Sequence, residues 1–241
     1  MRIKALIFVL ALTACSNNTI SIPNLKYDGL RGNISMTKES KFDATEKFGE
    51  IIPDDLNEVI IVEYDKDGNQ VKYGVYDEEG NYIYKHEQLY EKDLFVSETF
   101  YHKYVNKKTV HRVVERKKNY IKLLNNEGEE GESSIERFYN GLSYKEVDKE
   151  GNTISEVKCD KNGRLIEQKF YSDGRIIYHI LYNFDKDGNL ISSSTDYQLS
   201  EEPTTIKYTY PKFDKKGNWV TQYIWKEGEI VGITKRDISY R

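Results

Sequence analysis

The chain has 241 residues, of which 32% are charged and 13% are aromatic, with 20 Tyr and only 4 Pro. So many aromatic side chains can bury surface that disorder is excluded, and they favour strands. The formal net charge of -4 argues against a protein built to bind nucleic acid, and two cysteines exclude a disulfide scaffold and a zinc ribbon.

The first fifteen residues have the layout of a secretory signal. Arg2 and Lys4 precede the apolar run Ala5–Leu12, which is far shorter than the roughly 20 residues that span a bilayer. The sequence Leu12-Thr13-Ala14-Cys15 resembles the lipobox of bacterial lipoproteins. That resemblance implies that residues 1–14 are removed and that Cys15 is lipidated, as with palmitate, and becomes the mature N-terminus. An ordinary signal peptide with an incidental cysteine is the alternative.

Residues 15–24 are predicted to be a tether, because the segment Ser16-Asn17-Asn18-Thr19 that follows Cys15 is polar and short. Ser16 stands where an Asp signals inner-membrane retention in enteric lipoproteins, and the acidic cluster of surface-exported lipoproteins of gut anaerobes is absent. Both resemblances favour the periplasmic face of an outer membrane. An acylated Cys15 could not also form a disulfide with Cys159, the other cysteine.

The tetrad Asp-x-x-Gly occurs six times and is followed each time by Asn or Arg. Asp favours the first position of a type I turn, where its carboxylate accepts a backbone hydrogen bond, and Gly takes the left-handed conformation at the fourth position. Each copy therefore predicts one chain reversal between strands of about eight residues. The structural turn residues are Asp65 and Gly68, Asp77 and Gly80, Asp148 and Gly151, Asp160 and Gly163, Asp185 and Gly188, and Asp214 and Gly217.

The segments between the turns, such as 164–171 and 176–182, mix apolar and polar residues on both faces. Such a pattern suits a sheet whose two faces are each partly wet. No segment shows sustained helical periodicity. We therefore predict an all-β fold over residues 25–241: an antiparallel β-meander of repeated hairpins that forms an elongated, curved sheet or an open half-barrel. No helix longer than about two turns is expected beyond the signal.

The segments Phe184-Asp185-Lys186-Asp187-Gly188-Asn189-Leu190-Ile191 and Phe213-Asp214-Lys215-Lys216-Gly217-Asn218-Trp219 resemble the YD-repeat (Rhs-type) sequences of bacterial envelope proteins. The stretch from Leu30 to Gly49 resembles the opening of small repeat-bearing lipoproteins. The resemblance covers residues 25–241 and implies a repeat architecture. The family offers no catalytic residues to carry over.

No motif predicts a metal, a cofactor or a catalytic residue. Asp65–Asn69 superficially resembles a calcium loop, but Gly stands at position 4 rather than 6 and Tyr76 replaces the Glu at position 12. His86-Glu87 begins like a zinc-protease helix, but Tyr90 stands where the second His belongs. The histidines are therefore expected at exposed strand positions.

Two compositional features leave alternatives open. Tyr82 and Tyr84 are expected on one sheet face, where tyrosine ladders could stack on a ligand or simply pack across strands. Residues 103–122 are basic, which indicates either an anion or lipid-headgroup patch or charge pairing between neighbouring strands.

The sequence thus predicts a non-catalytic cell-envelope lipoprotein, held to the membrane by a lipid anchor. Its β-repeat domain would be a scaffold that binds a protein, peptide or glycan. The alternative is a hydrolase that acts on an envelope polysaccharide or peptide. A hydrolase would need two carboxylates about 5–10 Å apart in a deep pocket, which short hairpin loops seldom build.

Overall fold

The computed structural model describes residues 30–91, 94–104, 107–125, 133–140, 143–197 and 202–241. Within these ranges the chain forms sixteen strands and no helix. The predicted signal peptide, Cys15 and the predicted tether lie outside the described residues.

The strands differ in length, and the first two and the last are among the longest. In chain order they are β1 (Ile34–Lys47), β2 (Glu50–Tyr64), β3 (Gln70–Tyr76), β4 (Tyr82–Glu91), β5 (Leu94–His102), β6 (Lys107–Lys117), β7 (Tyr120–Asn125), β8 (Ser133–Asn140), β9 (Ser143–Val147), β10 (Thr153–Cys159), β11 (Leu165–Ser172), β12 (Arg175–Phe184), β13 (Leu190–Tyr197), β14 (Thr204–Phe213), β15 (Trp219–Lys226) and β16 (Glu229–Tyr240).

The sheet is a closed barrel. Every strand pairs antiparallel with its neighbours in sequence, and β1 also pairs with β16, from Ile34 opposite Tyr240 to Asp43 opposite Gly232. The all-β antiparallel meander is as predicted, but the open curved sheet or half-barrel is wrong. An open sheet would leave two long edge strands with unpaired N–H and C=O groups, and pairing β1 with β16 removes both edges.

The six Asp-x-x-Gly tetrads lie at chain reversals. In each, the Gly N–H donates to the Asp carbonyl at 2.9–3.2 Å, and the Gly φ lies between +80° and +93°. The Asp carboxylate also accepts the N–H of the residue four positions on, at 2.7–3.0 Å. The Asp side chain and the left-handed glycine together fix the backbone geometry of each chain reversal.

An extra residue follows each of these turns. The third residue after the turn glycine is skipped in the strand register, and all six skipped residues are β-branched: Val71, Ile83, Ile154, Ile166, Ile191 and Val220. Such a β-bulge re-aims the side chains on either side of it.

The bulge between Tyr82 and Tyr84 corrects one expectation. The Tyr84 ring packs 6.2 Å from that of Tyr73, whereas the Lys85 ammonium lies 4.4 Å from the centroid of Tyr82. Lys85 and Tyr84 are consecutive and face opposite sides of the sheet. Tyr82 and Tyr84 therefore lie on opposite faces, and the expectation of a shared face is wrong.

The inner wall is identified by a contact between strands that are not neighbours. Glu98 on β5 and Arg137 on β8 form an ion pair although two strands lie between them. Side chains converge in this way only on the concave side of a curved sheet. The strand register then assigns the other inward-facing residues.

The outer wall carries charges in rows across neighbouring strands. One row runs over five strands, with Lys145 opposite Glu156, then Lys169, His179 and Asp196. Cross-strand pairs of opposite charge stabilise a sheet surface that is in contact with water.

Two further pairs show the same arrangement elsewhere on the outside. Glu63 binds Lys72 and Lys122 binds Glu136, each at 3.2 Å. Lys122 belongs to the basic segment 103–122, so charge pairing between strands accounts for that residue. Among the described residues, no helix could span a membrane.

The two ends of the barrel differ. Because the number of strands is even, Leu30 and Arg241 lie at the same end, which we call the terminal end. The turns that follow β2, β10, β12 and β14 lie at the terminal end. The turns that follow β3 and β9 lie at the other end, which we call the far end.

Candidate functional site

A buried carboxylate lies at the centre of the polar groups on the inner wall. Glu98 is 1% exposed and accepts hydrogen bonds from His86 Nε2 at 3.3 Å, His111 Nδ1 at 3.2 Å and Arg137 Nη2 at 3.1 Å. A carboxylate only accepts, so both histidine nitrogens that face it carry a proton. We call Glu98, His86, His111, Arg137 and Glu146 the inner-wall cluster.

The meander brings these residues together from five strands. Glu98 lies directly opposite His111 on β6, and Arg137 lies opposite Glu146 on β9. His86 on β4 is opposite Phe100, the inward residue that follows Glu98 along β5. Alternation within each strand places all of them on the concave side.

Arg137 links two carboxylates. Its Nε donates to Glu146 and its Nη2 to Glu98, and the Ser155 hydroxyl donates to Glu146 at 2.7 Å. A continuous series of hydrogen bonds therefore runs along the inner wall from Ser155 on β10, through Glu146 and Arg137, to Glu98 on β5. Buried charges connected in this way are compensated by their partners rather than by water.

Aromatic rings cover the cluster. His86 stacks on Phe100 with ring centroids 4.3 Å apart and an interplanar angle of 4°, and Phe100 meets His111 edge-on at 5.5 Å. The Arg137 guanidinium lies 5.9 Å from the centroid of Phe95. These rings exclude water from the charges and so strengthen their interactions.

The electrostatics fix the charge state of the central pair. Burial raises the pKa of Glu98, but the charge of Arg137 and the hydrogen bonds from His111 and His86 outweigh it and hold that pKa well below its usual range. Burial lowers the pKa of Arg137, but Glu98 and Glu146 raise it well above its usual range. Both groups therefore remain charged across the physiological pH range.

This arrangement is suited to holding strands together. A general acid for glycoside or peptide hydrolysis needs a raised pKa and a position that a substrate can reach, whereas the pKa of Glu98 is lowered and its side chain is buried. Among the described residues no group of three or more His, Cys, Asp and Glu is placed to hold a metal ion. Arg137 already supplies the positive charge that a metal would bring.

A second part of the inner wall is open to solvent. Phe170 lies opposite Tyr178, which lies opposite Tyr197, and this row continues the inward face from Ser155. Tyr178 and Tyr197 are each 40% exposed, with ring centroids 5.2 Å apart. Both lie near the far-end termini of their strands. We call these two residues the far-end tyrosine pair.

The predicted turn residues lie on the two rims of the barrel and not in the inner-wall cluster. The cluster residues were missed by the sequence analysis, which expected the histidines at exposed positions. His86 is instead fully buried, and His111 contacts Glu98. No local spacing identifies them, because their partners are on other strands. Cys15 lies outside the described residues.

No protein-family model matches the chain, and no curated protein matches it either. Among solved structures, a porin-like protein from Bacteroides vulgatus is 13% identical, covers 88% of this chain and 99% of its own, and has a TM-score of 0.46. A porin-like protein from Bacteroides uniformis is 12% identical over 86% of this chain and 96% of its own, with a TM-score of 0.35. A DUF1329 family protein from Desulfovibrio piger is 8% identical over 86% of each chain, with a TM-score of 0.29. At these scores the similarities carry no argument about function.

Removing the central charge should destabilise the barrel. Glu98→Gln leaves Arg137 without one of its two carboxylates in a buried site, which should lower the free energy of unfolding by about 3 kcal/mol. The matched control is Glu136→Gln, which breaks the outer-wall pair with Lys122 and should cost at most about 1 kcal/mol. Denaturant melts of both variants measure the difference. Equal losses would contradict the central place of Glu98.

Proposed function

We propose that this protein is a non-catalytic lipoprotein of the cell envelope, in which a lipid anchor at Cys15 tethers a water-surrounded β-barrel that binds a peptide, protein or glycan. The observation that carries the proposal is the outer wall. Its rows of paired charges, such as Lys145 with Glu156 and Lys122 with Glu136, suit water on all sides. A barrel that is surrounded by water is held at a membrane by a separate attachment, such as a lipid anchor.

The position of Leu30 supports an attachment through the N-terminal segment. Leu30 lies at the terminal end, and the fifteen residues from there back to Cys15 can span on the order of 50 Å at most when extended. A lipid on Cys15 would keep the terminal end within that distance of the bilayer. The far end would then face away from the membrane.

The far-end tyrosine pair supports the binding part of the proposal. Inward-facing rings that remain 40% exposed in a closed barrel can contact a ligand at its mouth. Hydroxyl-bearing residues line the same face beside them, since Thr195 lies opposite Thr204. Aromatic faces combined with hydroxyl groups suit stacking on sugar rings or on peptide side chains.

The anchor is tested by fractionation. The wild-type chain, expressed in a Gram-negative host, should remain in the membrane pellet after alkaline extraction, and Cys15→Ala should become soluble, because a single lipidated residue supplies the attachment. Cys159→Ala is the matched control and should remain with the membrane. Full membrane retention of Cys15→Ala, or mass spectrometry showing Cys15 in a disulfide with Cys159, would contradict the anchor.

Binding is tested by screening the mature protein against glycan and peptide arrays. Tyr178→Ala and Tyr197→Ala should each weaken binding of a hit by up to about tenfold, since one aromatic contact contributes roughly 0.5–1.5 kcal/mol. The controls are Tyr82→Ala and Tyr76→Ala, which should leave binding unchanged. Tyr82 lies on the face opposite to the inward-facing Tyr84, and Tyr76 lies directly opposite Tyr82 on β3, so both are on the outer wall. Loss in the controls instead would place the binding surface outside the barrel and contradict this part of the proposal.

A further inference from the structure

The exposed charges are distributed unequally between the two ends of the barrel. At the terminal end, the connections and adjoining strand ends that the structure describes expose nine basic and three acidic residues. The basic residues are Arg31, Lys66, Lys117, Lys118, Lys161, Lys186, Lys215, Lys216 and Arg241, and the acidic ones are Asp67, Glu91 and Asp187.

The far end has the opposite balance. By the same definition, its described residues expose six basic and eight acidic side chains. The basic residues are Lys47, Lys103, Lys107, Lys149, Arg175 and Lys226, and the acidic ones are Glu50, Glu78, Glu79, Glu150, Asp173, Glu202, Glu227 and Glu229. A chain with a net charge of -4 therefore has one end on which exposed positive charges predominate.

The turn sequence explains how lysine reaches the tip of the terminal end. In Asp65-Lys66 and Asp185-Lys186 the aspartate is half-buried, and its carboxylate accepts hydrogen bonds from backbone N–H groups of its own turn. The lysine that follows is exposed at the tip of the loop. The aspartate carboxylate therefore faces the backbone N–H groups of the turn, whereas the lysine ammonium faces the solvent at the rim.

We propose that the terminal end is a surface that docks on anionic phospholipid headgroups. Clustered lysines and arginines attract an anionic lipid surface over about a Debye length, and each one near the surface adds to the binding. Leu30 lies at the same end, so the proposed lipid on Cys15 would bring this rim, and not the acidic far end, to the bilayer. The inference rests on the proposed function only for that orientation, because the charges are on the barrel itself.

The test uses residues 16–241, which contain every strand of the barrel and cannot be acylated. Sedimentation with vesicles of phosphatidylcholine containing about 30% phosphatidylglycerol should show binding that is lost at high salt, and vesicles of phosphatidylcholine alone should show none. The triple variant Lys66→Glu, Lys161→Glu, Lys186→Glu should lower the bound fraction at least about fivefold.

The matched control reverses three exposed lysines at the far end: Lys47→Glu, Lys149→Glu and Lys226→Glu. It makes the same change in net charge and should leave vesicle binding within about twofold of the parent, because those residues face away from the bilayer. Thermal melts establish that both triple variants fold. Equal losses in the two variants would overturn the proposal, as would absence of binding to anionic vesicles or binding to an anionic polysaccharide only. Because the protein used in this assay lacks Cys15, a failure to bind vesicles is distinct from a failure of the lipid anchor.

Discussion

The pairing of β1 with β16 is the constraint on which the rest of the structure depends. It converts a linear series of hairpins into a barrel with an inner and an outer wall, and it removes the two edges at which another chain could add a strand. It also brings Leu30 and Arg241 to one end, because the strand number is even. The concave face that gathers Glu98 and Arg137 exists because the sheet curves round to meet itself.

Local features of the fold were predictable from the sequence, whereas non-local ones were not. An Asp and a Gly three residues apart, as at Asp185 and Gly188, determine a reversal through their own hydrogen bonds and backbone conformation, so the pattern alone locates it. Closure depends on pairs such as Lys38 with Asp237, which no local pattern links. The inner-wall cluster is of the same kind, because Glu98 is one acid among many until the strand register places it opposite His111 and the curvature of the sheet brings it to Arg137.

The two walls use charge in different ways. On the outer wall, pairs such as Glu63 with Lys72 are partly exposed, so each contributes little stability while keeping the surface compatible with water. On the inner wall, Glu98 and Arg137 are buried, and losing either leaves the other uncompensated. The inner charges therefore specify how the strands associate, and the proposed activities are left to exposed regions: the far-end tyrosine pair and the lysines of the terminal end.

Closure is tested most directly by a disulfide between β1 and β16. Lys38 and Asp237 lie directly opposite each other, and opposite residues in an antiparallel pair are about 4.5–5.5 Å apart at Cα, within reach of a disulfide. In a background of Cys15→Ala and Cys159→Ala, the pair Lys38→Cys and Asp237→Cys should oxidise to an intramolecular cross-link in a folded monomer. The control pair Lys38→Cys and Asp196→Cys, with Asp196 on β13, should not cross-link. Failure of the first pair to close, or its cross-linking only between molecules, would show that the sheet is open.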